Sequence, residues 1–160
     1  MSSAEIDPHQ FRQLLGRFAT GVTVLTVATP AGKPMGMTAS SLCSVSLQPP
    51  LISACVDREA ELHDVIVRAP VFVVNVLSSP QEVLARRFSD KHEDRFEGIG
   101  YQLSPEGLIL LDGALAHIIC ERSAEYPGGD HTIVLGRVVG GSTSDGHPLL
   151  YYRGGYAALG

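Results

Sequence analysis

Residue types able to do chemistry gather in five places along this chain. The first is Gly36-Met37-Thr38-Ala39-Ser40-Ser41-Leu42-Cys43-Ser44-Val45-Ser46-Leu47-Gln48-Pro49-Pro50, with hydroxyls at Thr38, Ser40, Ser41, Ser44 and Ser46. Its first half is built of small residues. Another body can approach that backbone and meet amide N–H groups and hydroxyls, a way to hold an anion without a cationic side chain. A Ser-rich edge strand facing water has the same composition. The second place is His131, preceded by Gly128, Gly129 and Asp130. Paired glycines bend the chain tightly, and a histidine leaving such a loop can bind phosphate or polarise an amide. Equally, Asp130 can cap its own backbone and His131 can simply start a strand. The third is Tyr151-Tyr152-Arg153-Gly154-Gly155-Tyr156, where Arg153 among tyrosines can stack on a planar ligand or hold a phosphate. Tyrosines of a subunit interface look the same. The fourth, Cys55-Val56-Asp57-Arg58, ends an apolar run in a polar turn, a frequent position for ligand contacts and also for a helix cap. The fifth is a window holding Arg86, Arg87, Lys91 and Arg95 beside Asp90, Glu93 and Asp94. It reads either as a salt-bridged surface helix or as a local anion site.

Other devices are missing. Gly98-Ile99-Gly100 has Leu103 where a third glycine would complete a dinucleotide fingerprint. There is no Walker loop and no serine in a nucleophile elbow. The histidines at 9, 63, 92, 117, 131 and 147 show no i, i+4 pair, and no CxxC occurs, so no metal site is expected. A net charge of −5 and the absence of Trp argue against a nucleic-acid surface. No apolar run reaches the ~20 residues of a bilayer span, and the first residues carry no leader pattern. Cys43, Cys55 and Cys120 lie in apolar sequence and read as buried thiols of a reducing cytoplasm.

The 160 residues, 44% of them apolar, suit one domain over 1–160. Asp7-Pro8-His9-Gln10 opens a helix with a capping Asp and Pro at its first position. Phe11, Leu14, Leu15 and Phe18 follow at i, i+3, i+4 and i+7 as a core-facing stripe. Residues 22–27 are β-branched and strand-like, and the turn chemistry of 29–34 predicts a hairpin with the Ser-rich stretch. In its second half, Cys43, Val45 and Leu47 alternate with Ser44 and Ser46, the pattern of a half-buried strand. Residues 51–56 read as a strand buried on both faces. Leu62, Val65 and Ile66 read as the inner side of a short helix capped by Asp57. Residues 71–77 form another strand. Ser79-Pro80-Gln81-Glu82 is a capping box, with Val83, Leu84 and Phe88 on the apolar side of its helix. From 99 onward the pattern is β: strands at 108–111, 114–126, 132–140, 149–152 and 156–159, with a loop over 126–131. Many strands, few short helices and no βα alternation give a mainly β chain, an antiparallel barrel with a few short flanking helices.

Taken in order, these pieces resemble the short-chain flavin reductase family, the reductase components of two-component flavin monooxygenases. The matching segments are 18–26, 36–41 with 44–46 and 49–51, 72–77, 88–96, Gly129-Asp130-His131 and 148–152, nearly the whole chain. The resemblance implies an FMN-binding split β-barrel of Greek-key type, usually a homodimer. It implies FMN or FAD as flavin and NADH or NADPH as hydride donor, with reduced flavin passing to a separate oxygenase. It places Thr38, Ala39, Ser40 and Ser41 along the flavin and Cys55, Val56, Asp57 and Arg58 on the next wall. Phe88, Lys91 and Arg95 fall at phosphate and flavin contacts, Asp130 and His131 at the nicotinamide, and Tyr152 and Arg153 at C-terminal ligand contacts. Glu59-Ala60-Glu61-Leu62 departs from the hydroxyl-bearing residues usual there, and its carboxylates oppose a phosphate. Two other activities fit the same barrel: a non-catalytic flavin carrier, and an FMN oxidase of the pyridoxine-phosphate type.

Overall fold

A computed structural model describes residues 4–91 and 94–160; His92 and Glu93 lie outside it. The chain runs α1 (Pro8–Leu15), β1 (Thr20–Gly21), β2 (Thr23–Ala28), β3 (Pro34–Ala39), β4 (Cys43–Leu47), β5 (Pro50–Asp57), α2 (His63–Ile66) and β6 (Val71–Val76). A 3-10 turn (Ser79–Gln81) leads into α3 (Glu82–Ser89). Then come β7 (Tyr101–Leu103), β8 (Ile109–Leu111), β9 (Ala116–Gly128), β10 (His131–Thr143), β11 (Leu149–Tyr152) and β12 (Gly155–Ala158). The main sheet is antiparallel, with order β3-β2-β6-β9-β10-β5-β4. Its two edge strands, β3 and β4, are joined by only three residues, 40–42. A link that short spans at most about 14 Å, so the sheet must curl until its edges approach one another. This is the expected split barrel, and the Ser-rich stretch lies at the split.

Period-2 alternation explains why β2 and β6 read as unbroken apolar runs. Leu25 and Val27 of β2, with Phe72 and Val74 of β6, enter a core shared with β5, β9 and β10 and capped by α2. Val22, Val24 and Leu77 face the other way, into a second core with Ala85 and Phe88 of α3. Both faces of these two strands are therefore covered. Asn75 sits between the cores at 0% exposure. Its amide donates to the Val24 carbonyl (2.9 Å) and to Thr26 Oγ1 (3.0 Å), and its Oδ1 accepts from Leu111 N (3.0 Å). A polar group at zero exposure is tolerated because each of its functions is met.

Several expectations change. The helix begins as expected, with Asp7 Oδ1 accepting from His9 N, but its apolar stripe is not in the core. Exposure runs from 52% at Phe11 to 75% at Phe18. Periodicity reports that a helix is two-faced, not what covers the apolar face. The strand at 43–47 is not half-buried: Val45 is 48% and Leu47 85% exposed, because β4 is a sheet edge. β5 buries only alternate residues, Ile52, Ala54 and Val56. Of the thiols expected to be buried, Cys120 is, but Cys43 is exposed and Cys55 half-buried. The capping box lies one residue earlier, Ser78 with Gln81, and Val83 points to solvent. Asp57 caps a turn through Glu59 N (2.9 Å), not α2. The stretch 126–131 is no loop: β9 and β10 continue through it and leave only Gly129-Asp130 as the turn, with Gly129 at φ 68°.

Candidate functional site at the barrel split

The site begins at the end of β3. Thr38 Oγ1 donates to the Ala85 carbonyl of α3 (2.7 Å), and the Ala39 carbonyl accepts from Thr23 Oγ1 (2.7 Å). Ser41 spans the split: its Oγ accepts from Cys55 N (2.9 Å) and donates to the Cys55 carbonyl (3.3 Å). Two of the five hydroxyls thus serve the backbone. Ser40, half-buried in the link, makes no side-chain hydrogen bond among the described residues and keeps its donor and acceptors for a ligand.

Register carries this wall onward. Cys55 opposes Ile133, and Asp57 opposes His131. Arg58 N donates to the Asp130 carbonyl at 3.1 Å, so the end of β5 and the β9–β10 turn are one unit. His131 Nδ1 lies 2.6 Å from Asp130 Oδ1. That hydrogen bond and the nearby imidazole hold the Asp130 carboxyl below its usual range. A proton on Nδ1 given to the carboxylate leaves Nε2 outward as an acceptor. The ring is 39% exposed and so accessible to a ligand. Val56 is wholly buried and shapes this wall from behind.

A cleft at the opposite end of β3 holds two residues of the charged window, Asp94 and Arg95. Arg95 Nη1 donates to the Gly36 carbonyl (3.0 Å), and its Nε is enclosed without a partner among the described residues. Lys33, Glu61, Leu62 and Asp94 line the same cleft. An enclosed guanidinium nitrogen with an unmet donor suits an anionic group, while Glu61 and Asp94 set a limit on how much negative charge is welcome. Lys91 is exposed. Phe88 is 1% exposed and meets Phe96 edge-on at 5.0 Å, so its ring supports β3 and offers a ligand no surface.

The C-terminal sheet, β1-β11-β12, reaches this region through α3. Arg86, clasped by Glu82 at 2.7 Å, lies 5.0 Å over the Tyr156 ring, and Tyr156 meets Tyr151 edge-on at 5.4 Å. Tyr152 is 41% exposed. Arg153 adopts a left-handed φ of 52° and donates its N–H to the Gly16 carbonyl (2.9 Å). With Gly154 at φ 76° it forms the two-residue turn between β11 and β12, a hairpin geometry that needs left-handed φ at both positions.

The structure therefore brings 38–41, 55–58 and 130–131 together along the split and sets Arg95 at the far end of β3, whereas Arg153 lies against the end of α1, beside Gly16 and Arg17, and with Tyr152 has no tie to the split among the described residues. Sequence reading missed Asn75 and Ser78. Asn75 had a signal, a lone amide in a valine run, and Ser78 had the Ser-x-x-Gln spacing to Gln81; the Ser78 bond to the Gly113 carbonyl (3.0 Å) had none. Among the described residues no cluster of His, Cys, Asp and Glu could hold a metal, and no helix is long and apolar enough to cross a membrane.

The flavin reductase like domain model matches residues 15–160. A flavin reductase of Pseudomonas putida is 43% identical over 96% of this chain and 91% of its own length. The reductase subunit HsaB of a flavin-dependent monooxygenase from Rhodococcus jostii is 39% identical over 99% of this chain and 82% of its own. Among solved structures, the NADH:FAD oxidoreductase SgcE6 of Streptomyces globisporus, in complex with NAD and FAD fragments, superposes with a TM-score of 0.90. It is 39% identical and covers 99% of this chain and 98% of its own.

Proposed function

The chain belongs to the flavin reductase-like domain family, and from that premise we propose that it is an NAD(P)H:flavin oxidoreductase that supplies reduced flavin to a separate monooxygenase. The observation that carries this is the joining of three segments at the split: the Ser40–Ser41 link, tied to β5 by the Ser41 hydroxyl, and the β5 end and the His131 turn, tied by backbone hydrogen bonds. The residues present fit a flavin. Ser40 keeps an uncommitted hydroxyl, and the distance along β3 from Ala39 to Gly36 is on the order of 10 Å, the reach of a ribityl phosphate from its ring. At that distance waits Arg95 with its unmet Nε.

Bound flavin supplies the electronic chemistry, accepting a hydride from the nicotinamide. This chain's residues supply geometry. The small residues 38–41 let a planar ring approach the backbone, Ser40 hydrogen-bonds its polar edge, and Arg95 with Lys33 holds the phosphate end. His131, oriented by Asp130, meets the nicotinamide or its phosphates and keeps it against the ring. No side chain is required to move a proton. Glu61 beside Arg95 tempers the phosphate site. Tyr152 and Arg153 present a tyrosine face and a guanidinium beside the end of α1, for a ligand contact from the C-terminal side. The apolar faces of α1 and β4, exposed in the single chain, support a homodimer.

The test mixes purified protein with NADH or NADPH, each with FMN, FAD or riboflavin, and follows nicotinamide oxidation. Flavin-dependent oxidation is expected, with His131→Ala weakening nicotinamide affinity. Flavin binding without nicotinamide consumption would overturn the reading and favour a carrier.

A further inference from the structure

We propose that His63 is a positioning residue of the nicotinamide site: bridging Asp64 and Thr132, it fixes the start of β10 from which His131 projects. This rests on the reading of His131 given above. His63 Nδ1 lies 2.9 Å from Asp64 Oδ1, and its Nε2 lies 2.8 Å from Thr132 Oγ1. With the Nδ1 proton given to the carboxylate, Nε2 accepts the Thr132 hydroxyl proton. The imidazole beside it holds the Asp64 carboxyl below its usual range.

His131 and Thr132 are consecutive strand residues, so their side chains leave opposite faces of the sheet. One meets the ligand; the other reaches backward to His63. The His63 side chain is 16% exposed. It stands on a short helix whose ends, Leu62 at 1% and Ile66 at 0%, are sunk in the core. The anchor is therefore rigid, and it adds a side-chain tie to a strand whose backbone is already paired on both sides, with Asp57 and Val56 of β5 and with Gly128 and Pro127 of β9. β10 begins directly after a two-residue turn, the Asp130 side chain is 92% exposed, and His131 opposite Gly128 is the last pair of the β9–β10 ladder. Without the Thr132 hydroxyl bond, the backbone hydrogen bond from Arg58 N to the Asp130 carbonyl and the β-ladder hold His131 in register. These are backbone ties; among the described residues the Thr132 bond to His63 is the one that holds a side chain of this strand end against α2. A misplacement of about 1 Å in a hydride-transfer site costs as much as a hundredfold in rate, so a small tilt at 131–132 is visible in kinetics before it is visible in folding.

The experiment uses the full chain with saturating FMN. Thr132→Val keeps the β-branched shape and removes the hydroxyl; His63→Ala removes the bridge; His63→Gln retains an amide able to bond Thr132. Thr132→Val and His63→Ala are expected to raise the apparent KM for NADH about tenfold, with FMN affinity by dialysis changed less than about twofold. His63→Gln is expected to restore most of the loss. Unchanged KM in both variants overturns the proposal. So does a parallel loss of NADH and FMN affinity, which would mean general loosening, or a His63→Gln as impaired as His63→Ala. His131→Ala is the control. If it raises the KM while the other two do not, the relay alone fails. If it does not, the reading of His131 fails and the relay with it.

Discussion

Replacing Gly36 by alanine tests whether Phe88 and Arg95 hold β3 as described. A Cβ there would lie 2.8 and 3.0 Å from two Phe88 ring carbons and 3.3 Å from the Leu25 carbonyl oxygen. Carbon atoms rest at about 3.5–4.0 Å, so the ring must move by most of an ångström. It has little room to do so, being 1% exposed with Phe96 against it at 5.0 Å and Tyr101 beyond at 5.4 Å. Overpacking of this kind costs about 1–3 kcal/mol. At about 2–4 °C per kcal/mol for a chain of this size, the melting temperature falls by about 2–12 °C. The Gly36 carbonyl also receives Arg95 Nη1. Displacing it forfeits about 0.5–1.5 kcal/mol, or about two- to tenfold in flavin affinity if Arg95 holds the phosphate. Thermal unfolding and FMN dialysis measure the two effects. Phe88→Leu, combined with Gly36→Ala, gives space back, so the double variant should be more stable than the sum of the singles by about 1 kcal/mol. An unfolding midpoint within about 1 °C of the parent, with additive singles and doubles, would refute the packing argument.

Four further outcomes follow from the same structure. Asn75→Ala leaves Leu111 N and the Val24 carbonyl buried without that partner and should cost about 2–4 kcal/mol in urea unfolding. Ser41→Ala removes a tie across the split at an exposed position, so it should cost only about 0.5–1.5 kcal/mol and speed amide exchange at Cys55. Burial pushes the Cys120 thiol up to about 12. Alkylation at pH 8 should therefore label exposed Cys43 and spare Cys120, read by peptide mass spectrometry. The Asp130 carboxyl is held below its ordinary value by His131. Its contribution to stability is present above the ordinary carboxylate range and is lost as pH falls through the lowered value, so Asp130→Asn should flatten the acid limb of the unfolding curve.

Short-range patterns in the residues were enough for the local pieces: the Asp7 cap, the hairpin of β2 with β3, and the long β9 and β10. Each is a matter of residues a few positions apart, where period, turn chemistry and capping decide the outcome. How those pieces meet became visible only once the chain was folded. Ser41 finds Cys55 because two sheet edges are forced together by a three-residue link. Arg95 lies under Gly36, and His63 reaches Thr132 across 69 positions, because strand order and register set their neighbours. The same limit hid the fate of α1. A stripe of Phe11, Leu14, Leu15 and Phe18 states a need for cover, and what lies above it depends on surfaces distant in the chain or on another chain.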